Sequence, residues 1–198
     1  MPEYVRLPTT PDAFSFPAKT GVPFNSGGTL TDTSASITVA GLTGDSSPIK
    51  VTGPDGITNQ YTINGGSPIA TDGTVKNGDI VTVQHTTGSL PRATVTSTLS
   101  IGNVSELFTS VTQNVETFAL TGATLSSVPI VLKVATGSYS VTVVGGSYSI
   151  DNGAFTSQTQ TLLFVNGQTT ISLLNTALGG TTTVTIDGVA STYTSTTP

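Results

Sequence analysis

The chain repeats itself, and that limits what it can fold into more than any other feature. Tyr61–Val83 reads YTINGGSPIATDGTVKNGDIVTV, which is strand, glycine turn, strand, Asn-Gly turn, strand. A degenerate copy begins at Tyr148 as YSIDNGAFTSQTQTLLFVNGQTTISL. Tyr61-Thr-Ile63-Asn64-Gly65 answers to Tyr148-Ser-Ile150-Asp151-Asn152-Gly153, and Asn77-Gly78 to Asn166-Gly167. Downstream, Leu99-Ser-Ile101-Gly-Asn-Val104 answers to Val184-Thr-Ile186-Asp-Gly-Val189, and Phe108 to Tyr193. The offsets are 87, 89 and 85 positions (61 to 148, 77 to 166, 99 to 184). A duplicated β-unit with small turn insertions produces such offsets.

The repeat divides 198 residues into two domains, each near the ~100 residues of a β-sandwich. Short runs of Val, Ile and Leu alternate with Thr and Ser, the pattern of half-buried strands. Turn signals recur every eight to twelve residues or so, and helix is scarcely supported. Asn77-Gly78 is the strongest two-residue hairpin signal, with positive φ expected at both positions. The entry to the second domain is aligned here by matching Phe118-Ala-Leu120-Thr-Gly122 to Ile37-Thr-Val39-Ala-Gly41, and Pro129-Ile130 to Pro48-Ile49.

Residues 1–27 differ in character. Five of the eleven prolines fall here, with Tyr4, Phe14, Phe16 and Phe24 between them. Proline favours extended backbone and removes ladder donors, so the part from about Asp12 reads as a proline-bearing edge strand. Met1–Pro11 reads either as a solvated leader or as an extended arm whose Tyr4, Val5 and Leu7 are assembly contacts to a neighbouring subunit.

Chemistry is sparse. Charged residues make up 9% of the chain and the net charge is −5. Six Lys and Arg, spread singly, form no basic stripe, so nucleic acid is not an expected partner. There is no cysteine, which removes disulfides and, with a single histidine, makes a transition-metal site an unexpected feature. That histidine, His85, ends a strand and reads as a solvated or hydrogen-bonded side chain, since no Gly-x-Ser-x-Gly elbow accompanies it. Asp55, Asp72, Asp151 and Asp187 each precede or nearly precede glycine, as turn-forming carboxylates do. No spaced calcium loop is present. Tyr61 and Tyr148 hold equivalent repeat positions, which favours a core role over a sugar-stacking platform. No catalytic, cofactor or metal residue is expected, and the chain reads as a non-enzyme.

The run Ile37-Thr-Val39-Ala-Gly41, Pro48-Ile49-Lys-Val51, Tyr61-Thr-Ile63-Asn64-Gly65-Gly66, Gly73-Thr-Val75-Lys-Asn77-Gly78-Asp79-Ile80-Val81-Thr-Val83 and Thr98-Leu99-Ser-Ile101-Gly102 resembles a recurrent immunoglobulin-like β-sandwich module. That module belongs to tailed-bacteriophage virion proteins and bacterial surface repeat proteins. The resemblance covers roughly residues 13–112 well and 117–197 weakly. It implies two tandem immunoglobulin-like sandwiches, residues 12–113 and 114–198, behind the arm of residues 1–11. It also implies a decoration or structural component of a phage head, collar or tail, partnered by other virion proteins and copies of itself. Such a part is assembled in the host cytoplasm and released by lysis, an expectation in keeping with a start that lacks a secretory signal. The alternative is an adhesin or carbohydrate-binding module on a host surface glycan.

Overall fold

A computed structural model describes residues 10–24 and 27–196. Tyr4, Val5 and Leu7 lie outside the described residues. Every regular element is a strand, and no helix occurs among the described residues. The chain divides into two compact units, one built mainly from residues up to Thr112 and the other mainly from Gln113 onward.

Unit 1 holds β1 (Lys19–Val22), β2 (Thr31–Thr33), β3 (Ile37–Thr38), β4 (Ser47–Thr52), β5 (Asn59–Ile63), β6 (Gly73–Val75), β7 (Ile80–Thr86), β8 (Thr94–Ile101) and β9 (Val104–Thr112). One sheet runs β1-β9-β8-β4-β6, and in the other β7 pairs with β2, β3 and β5. Only β1 is parallel to its neighbour, lying along the end of β9. Period-2 alternation aims one face of each sheet at a common core. Leu99 and Ile101 of β8, Phe108 of β9 and Ile49 of β4 meet Tyr61 of β5 and Val81 and Val83 of β7, all buried. Phe14 and Phe16 precede β1 and pack edge to face, 6.0 Å between centroids, with Phe16 closing on Phe108. The proline-bearing segment therefore delivers core aromatics before it becomes the edge strand.

Unit 2 holds β10 (Ile130–Val131), β11 (Gly137–Val144), β12 (Gly146–Ile150), β13 (Gln160–Phe164), β14 (Thr170–Asn175), β15 (Thr181–Ile186) and β16 (Val189–Thr194). Its sheets run β10-β14-β12 and β13-β11-β15-β16. Its core gathers Leu132, Tyr139, Val141, Tyr148, Phe164, Leu173, Val184 and Tyr193.

Hydrogen bonds repeat residue for residue between the units. Tyr61 exchanges backbone bonds with Ile69 at 2.9 and 2.8 Å, and Tyr148 does so with Thr156 at 2.9 and 2.8 Å. Each tyrosine hydroxyl then donates to a carbonyl ten residues on, Thr71 or Gln158, at 3.0 Å. Ser34 Oγ accepts from Val83 N–H and Ser127 Oγ from Leu173 N–H, both at 2.9 Å. Asn64 and Asp151 share φ 52°, and their Oδ1 atoms accept the N–H of Ile80 and Thr170 at 2.8 and 2.7 Å. The β8–β9 and β15–β16 hairpins turn at Gly102-Asn103 and Asp187-Gly188, as their matched sequences require. At the latter, φ values of 49° and 83° make a type I′ turn.

Two details of the sequence reading are corrected. First, the entry to unit 2 aligns differently. Ile37 lies opposite Val81 and Ile130 opposite Ile171, so Ile130 matches Ile37 and not Ile49. Ile49 instead matches Val141, these two facing Ile101 and Ile186. Phe118-Ala-Leu120 matches Phe14-Ser-Phe16, because Asp12 and Glu116 make the same 2.8 Å bonds to Ala40 and Lys133. Unit 1 has β1 and β2 between Phe16 and Ser34, whereas Leu120 and Ser127 are separated by one short loop. An apolar-x-apolar pattern fits any in-phase register, so that insertion was invisible. Second, only Gly78 has positive φ at 91°; Asn77 does not. Asp79 N–H bonds Lys76 carbonyl with glycine in third place, the demand of a type II turn. The turn joins β6 to β7, which lie in different sheets, so it need not match the twist of a hairpin.

Candidate functional site

The one histidine lies at the centre of a buried polar cluster in unit 1. His85 is fully buried near the end of β7, hydrogen-bonded but not solvated. Inward alternation on β8 places Ser97 in the row Val95, Ser97, Leu99, Ile101; on β9 it places Ser110 after Phe108. Ser97 Oγ lies 2.8 Å from His85 Nδ1, and Ser110 Oγ 2.6 Å from Nε2. The ring stacks on Phe108, 4.6 Å between centroids and 23° between planes.

The proton positions follow from the outer partners. Asn59 Nδ2 donates to the Ile57 carbonyl at 2.8 Å, which orients the amide and leaves Oδ1 as an acceptor. Ser97 spends its hydroxyl proton on that Oδ1 at 2.6 Å. Its oxygen must therefore accept from Nδ1–H, and Ser110 must donate to Nε2. A neutral imidazole satisfies every group. Burial holds the His85 pKa below its ordinary 6.5; Asp32 pulls the other way, and Lys19 adds to the depression. Asp32 faces His85 directly across β2–β7 and pairs with Lys19 at 2.9 Å.

Hydroxyl, imidazole and amide in series suggest a nucleophile, a base and an orienting group. Ser97 and Ser110 are as buried as the ring, however, and a substrate has no approach to either oxygen. Unit 2 rebuilds the same end of its core without histidine. Asn175 takes the His85 place, facing Gly146 across β12–β14 as His85 faces Asn59 across β5–β7. Thr182 and Ser195, also buried, take the Ser97 and Ser110 places and donate to the carbonyls of Leu174 and Ala177. Both units thus close one end of an apolar core with hydrogen-bonded hydroxyls, a structural use of polar groups. The lone histidine gave no hint of its serine partners. The signal was there in the inward rows of β8 and β9, where serine interrupts Val, Leu, Ile and Phe.

The carboxylates sit in turns, several of them bound by local nitrogen donors. Asp79 accepts from Lys76 N–H at 2.7 Å and Asn64 Nδ2 at 2.8 Å, which lowers its pKa. Asp151 binds Thr170 N–H, and Asp187 Oδ2 accepts from Asn114 Nδ2 at 2.6 Å. Asp55 sits in the turn where Ile57 N–H bonds the Pro54 carbonyl, and Asp72 lies close enough to raise the Tyr61 pKa after burial has done so. Among the described residues no three His, Asp or Glu side chains converge as metal ligands. Tyr61 and Tyr148 are core residues, 0% and 1% exposed, and present no stacking platform. No helix among the described residues is long and apolar enough to cross a membrane.

No protein-family model matches the chain, and no curated protein matches it. Among solved structures it is similar to the D0-D1 domain of Intimin, at 13% identity and a TM-score of 0.31, over 94% of this chain and 99% of that one. So distant a likeness adds nothing to what the strand pairings establish.

Proposed function

We propose that this chain is a non-enzymatic structural component of a tailed-phage virion, two tandem immunoglobulin-like sandwiches displayed on the head, collar or tail. Residues 1–11 attach it to the particle through Tyr4, Val5 and Leu7. The observation that carries the reading is the duplicated polar core end. The group best suited to catalysis, His85, is sealed in unit 1, and unit 2 replaces it with Asn175 and carbonyl-bound hydroxyls. The two units share the architecture but not the histidine, as expected of a scaffold. The carboxylates bound to turn backbone support the same reading.

The test is to express the gene with its genomic neighbours, purify the particles released, and label them with antibody against unit 2. Labelling at a fixed place on every particle supports the proposal. Unlabelled particles, with the free protein bound to a glycan array, would replace it with a carbohydrate-binding role.

A further inference from the structure

Strand β1 is a four-residue edge strand held to unit 1 in two ways. Its backbone lies parallel to β9, Lys19 opposite Ser110 and Val22 opposite Thr112, with a register shift between Thr20 and Val22. Its Lys19 ammonium reaches Asp32 Oδ1 at 2.9 Å and the Thr33 carbonyl. Both attachments end on neighbours of His85. Ser110 holds Nε2, and Asp32 stands opposite the histidine on β2. Asp32 Oδ2 is buried with no hydrogen-bond partner, so the carboxylate has one oxygen engaged and one idle.

We propose that His85 is a proton-operated latch, and that protonating Nε2 frees β1 from the edge of the first sheet. A proton on Nε2 turns an acceptor into a donor, and the Ser110 hydroxyl proton must swing away from it. The imidazolium then lies beside Asp32 and draws its idle oxygen, competing with Lys19 for the carboxylate. The strand is weakened from both sides, at Ser110 and at Lys19. The charged side chains whose fields reach the ring are Asp32 on β2 and Lys19 on β1. From β5, β8 and β9 it meets Asn59, Ser97, Ser110 and Phe108, none of which changes charge between about pH 5 and 8.

The sign follows from linkage. The closed state binds fewer protons than an open one whose histidine has its ordinary pKa. The latch is therefore fully closed above that ordinary 6.5 and loosens as pH falls below it. At one unit below, opening is favoured by up to about tenfold.

Amide hydrogen exchange of the full chain at pH 7.5 and 5.5, corrected for intrinsic rates, tests this. Protection at Lys19–Val22 and Ser110–Thr112 should fall, by up to about tenfold, while β7 and β8 keep theirs. In His85→Gln the two pH values should give equal protection at β1. A ring titration of the native chain by NMR, which needs no variant, should have its midpoint below 6.5, at the low-pH end of the loss of protection. The latch is overturned by protection that does not change with pH, by a pH response that persists in His85→Gln, or by a native ring that titrates at or above 6.5.

Discussion

Gly73 lies so close under the Tyr61 hydroxyl that a Cβ on it would sit 2.4 Å from the phenolic oxygen. The hydroxyl donates to the Thr71 carbonyl and closes the loop between β5 and β6. Gly73→Ala should destabilise unit 1 by about 1–3 kcal/mol through overpacking, and Tyr61→Phe by about 1 kcal/mol through the lost bond. Chemical denaturation of the double variant should show a cost well below the sum, because removing the oxygen makes room for the methyl. Additive costs would mean that the two residues do not share that space.

Asn64 and Asp151 occupy the same place in the two units but are not interchangeable. Asn64 donates to Asp79 Oδ1, whereas Asp151 has Thr170 N–H and hydroxyl as its recorded partners. Asn64→Asp should cost about 1–3 kcal/mol at pH 7, by setting a second carboxylate against Asp79 and removing its donor. Asp151→Asn should change stability by no more than about 0.5 kcal/mol. Like charge raises both carboxyl pKa values in the folded Asn64→Asp variant, so the repulsive part of its deficit should shrink as pH falls toward about 4 and be gone below it. The native Asp79, held low by the Lys76 N–H and the Asn64 amide, behaves oppositely. Its stabilisation is present above the ordinary 3.8 and is lost as pH falls through the depressed value. Melting temperatures at pH 7 and 3.5 separate the two.

Much of the fold was legible because turns carry information that strands lack. Asn64-Gly65 and Asp151-Asn152-Gly153 announce left-handed backbone, and Asp187-Gly188 announces a two-residue hairpin, so these anchors aligned correctly. Between Phe16 and Ser34 no such marker tells an inserted edge strand from a loop, and the entry of unit 2 was placed by pattern alone. Asn77-Gly78 misled because the dipeptide specifies a tight turn but not which strands it joins. The polar cluster stayed hidden for a third reason. His85, Ser97 and Ser110 lie on three strands, and only sheet pairing brings them to one point.

Gly78 has φ 91° with nothing within 4 Å of an added Cβ, so substitution there strains only the backbone. Gly78→Ala should lower stability by about 1–2 kcal/mol. Asn77→Ala should cost about 0.5–1.5 kcal/mol, the value of the 3.3 Å bond from Leu42 N–H to its Oδ1. A melting temperature left unchanged by Gly78→Ala would contradict the turn geometry.

Calcium and EDTA should leave the melting temperature unchanged, because Asp79, Asp151 and Asp187 are engaged by nitrogen donors in separate turns. A rise of several degrees on adding calcium would show that these carboxylates converge on an ion.

The central claim is that the two units fold by themselves while residues 1–11 make the attachment. Proline keeps an unbound arm nearly extended, which lowers the entropy lost on docking. In the proposed attachment, burying Tyr4, Val5 and Leu7 at about 1.5–3 kcal/mol each supplies the capture as contacts repeat across a particle. The most direct measurement compares the intact chain with a chain lacking residues 1–11, by thermal melting and by sedimentation velocity over a concentration series. The truncated protein should melt within a few degrees of the intact one but remain monomeric where the intact one associates. If the truncated chain assembles as well as the intact chain, or the intact chain never assembles, the arm is not the attachment.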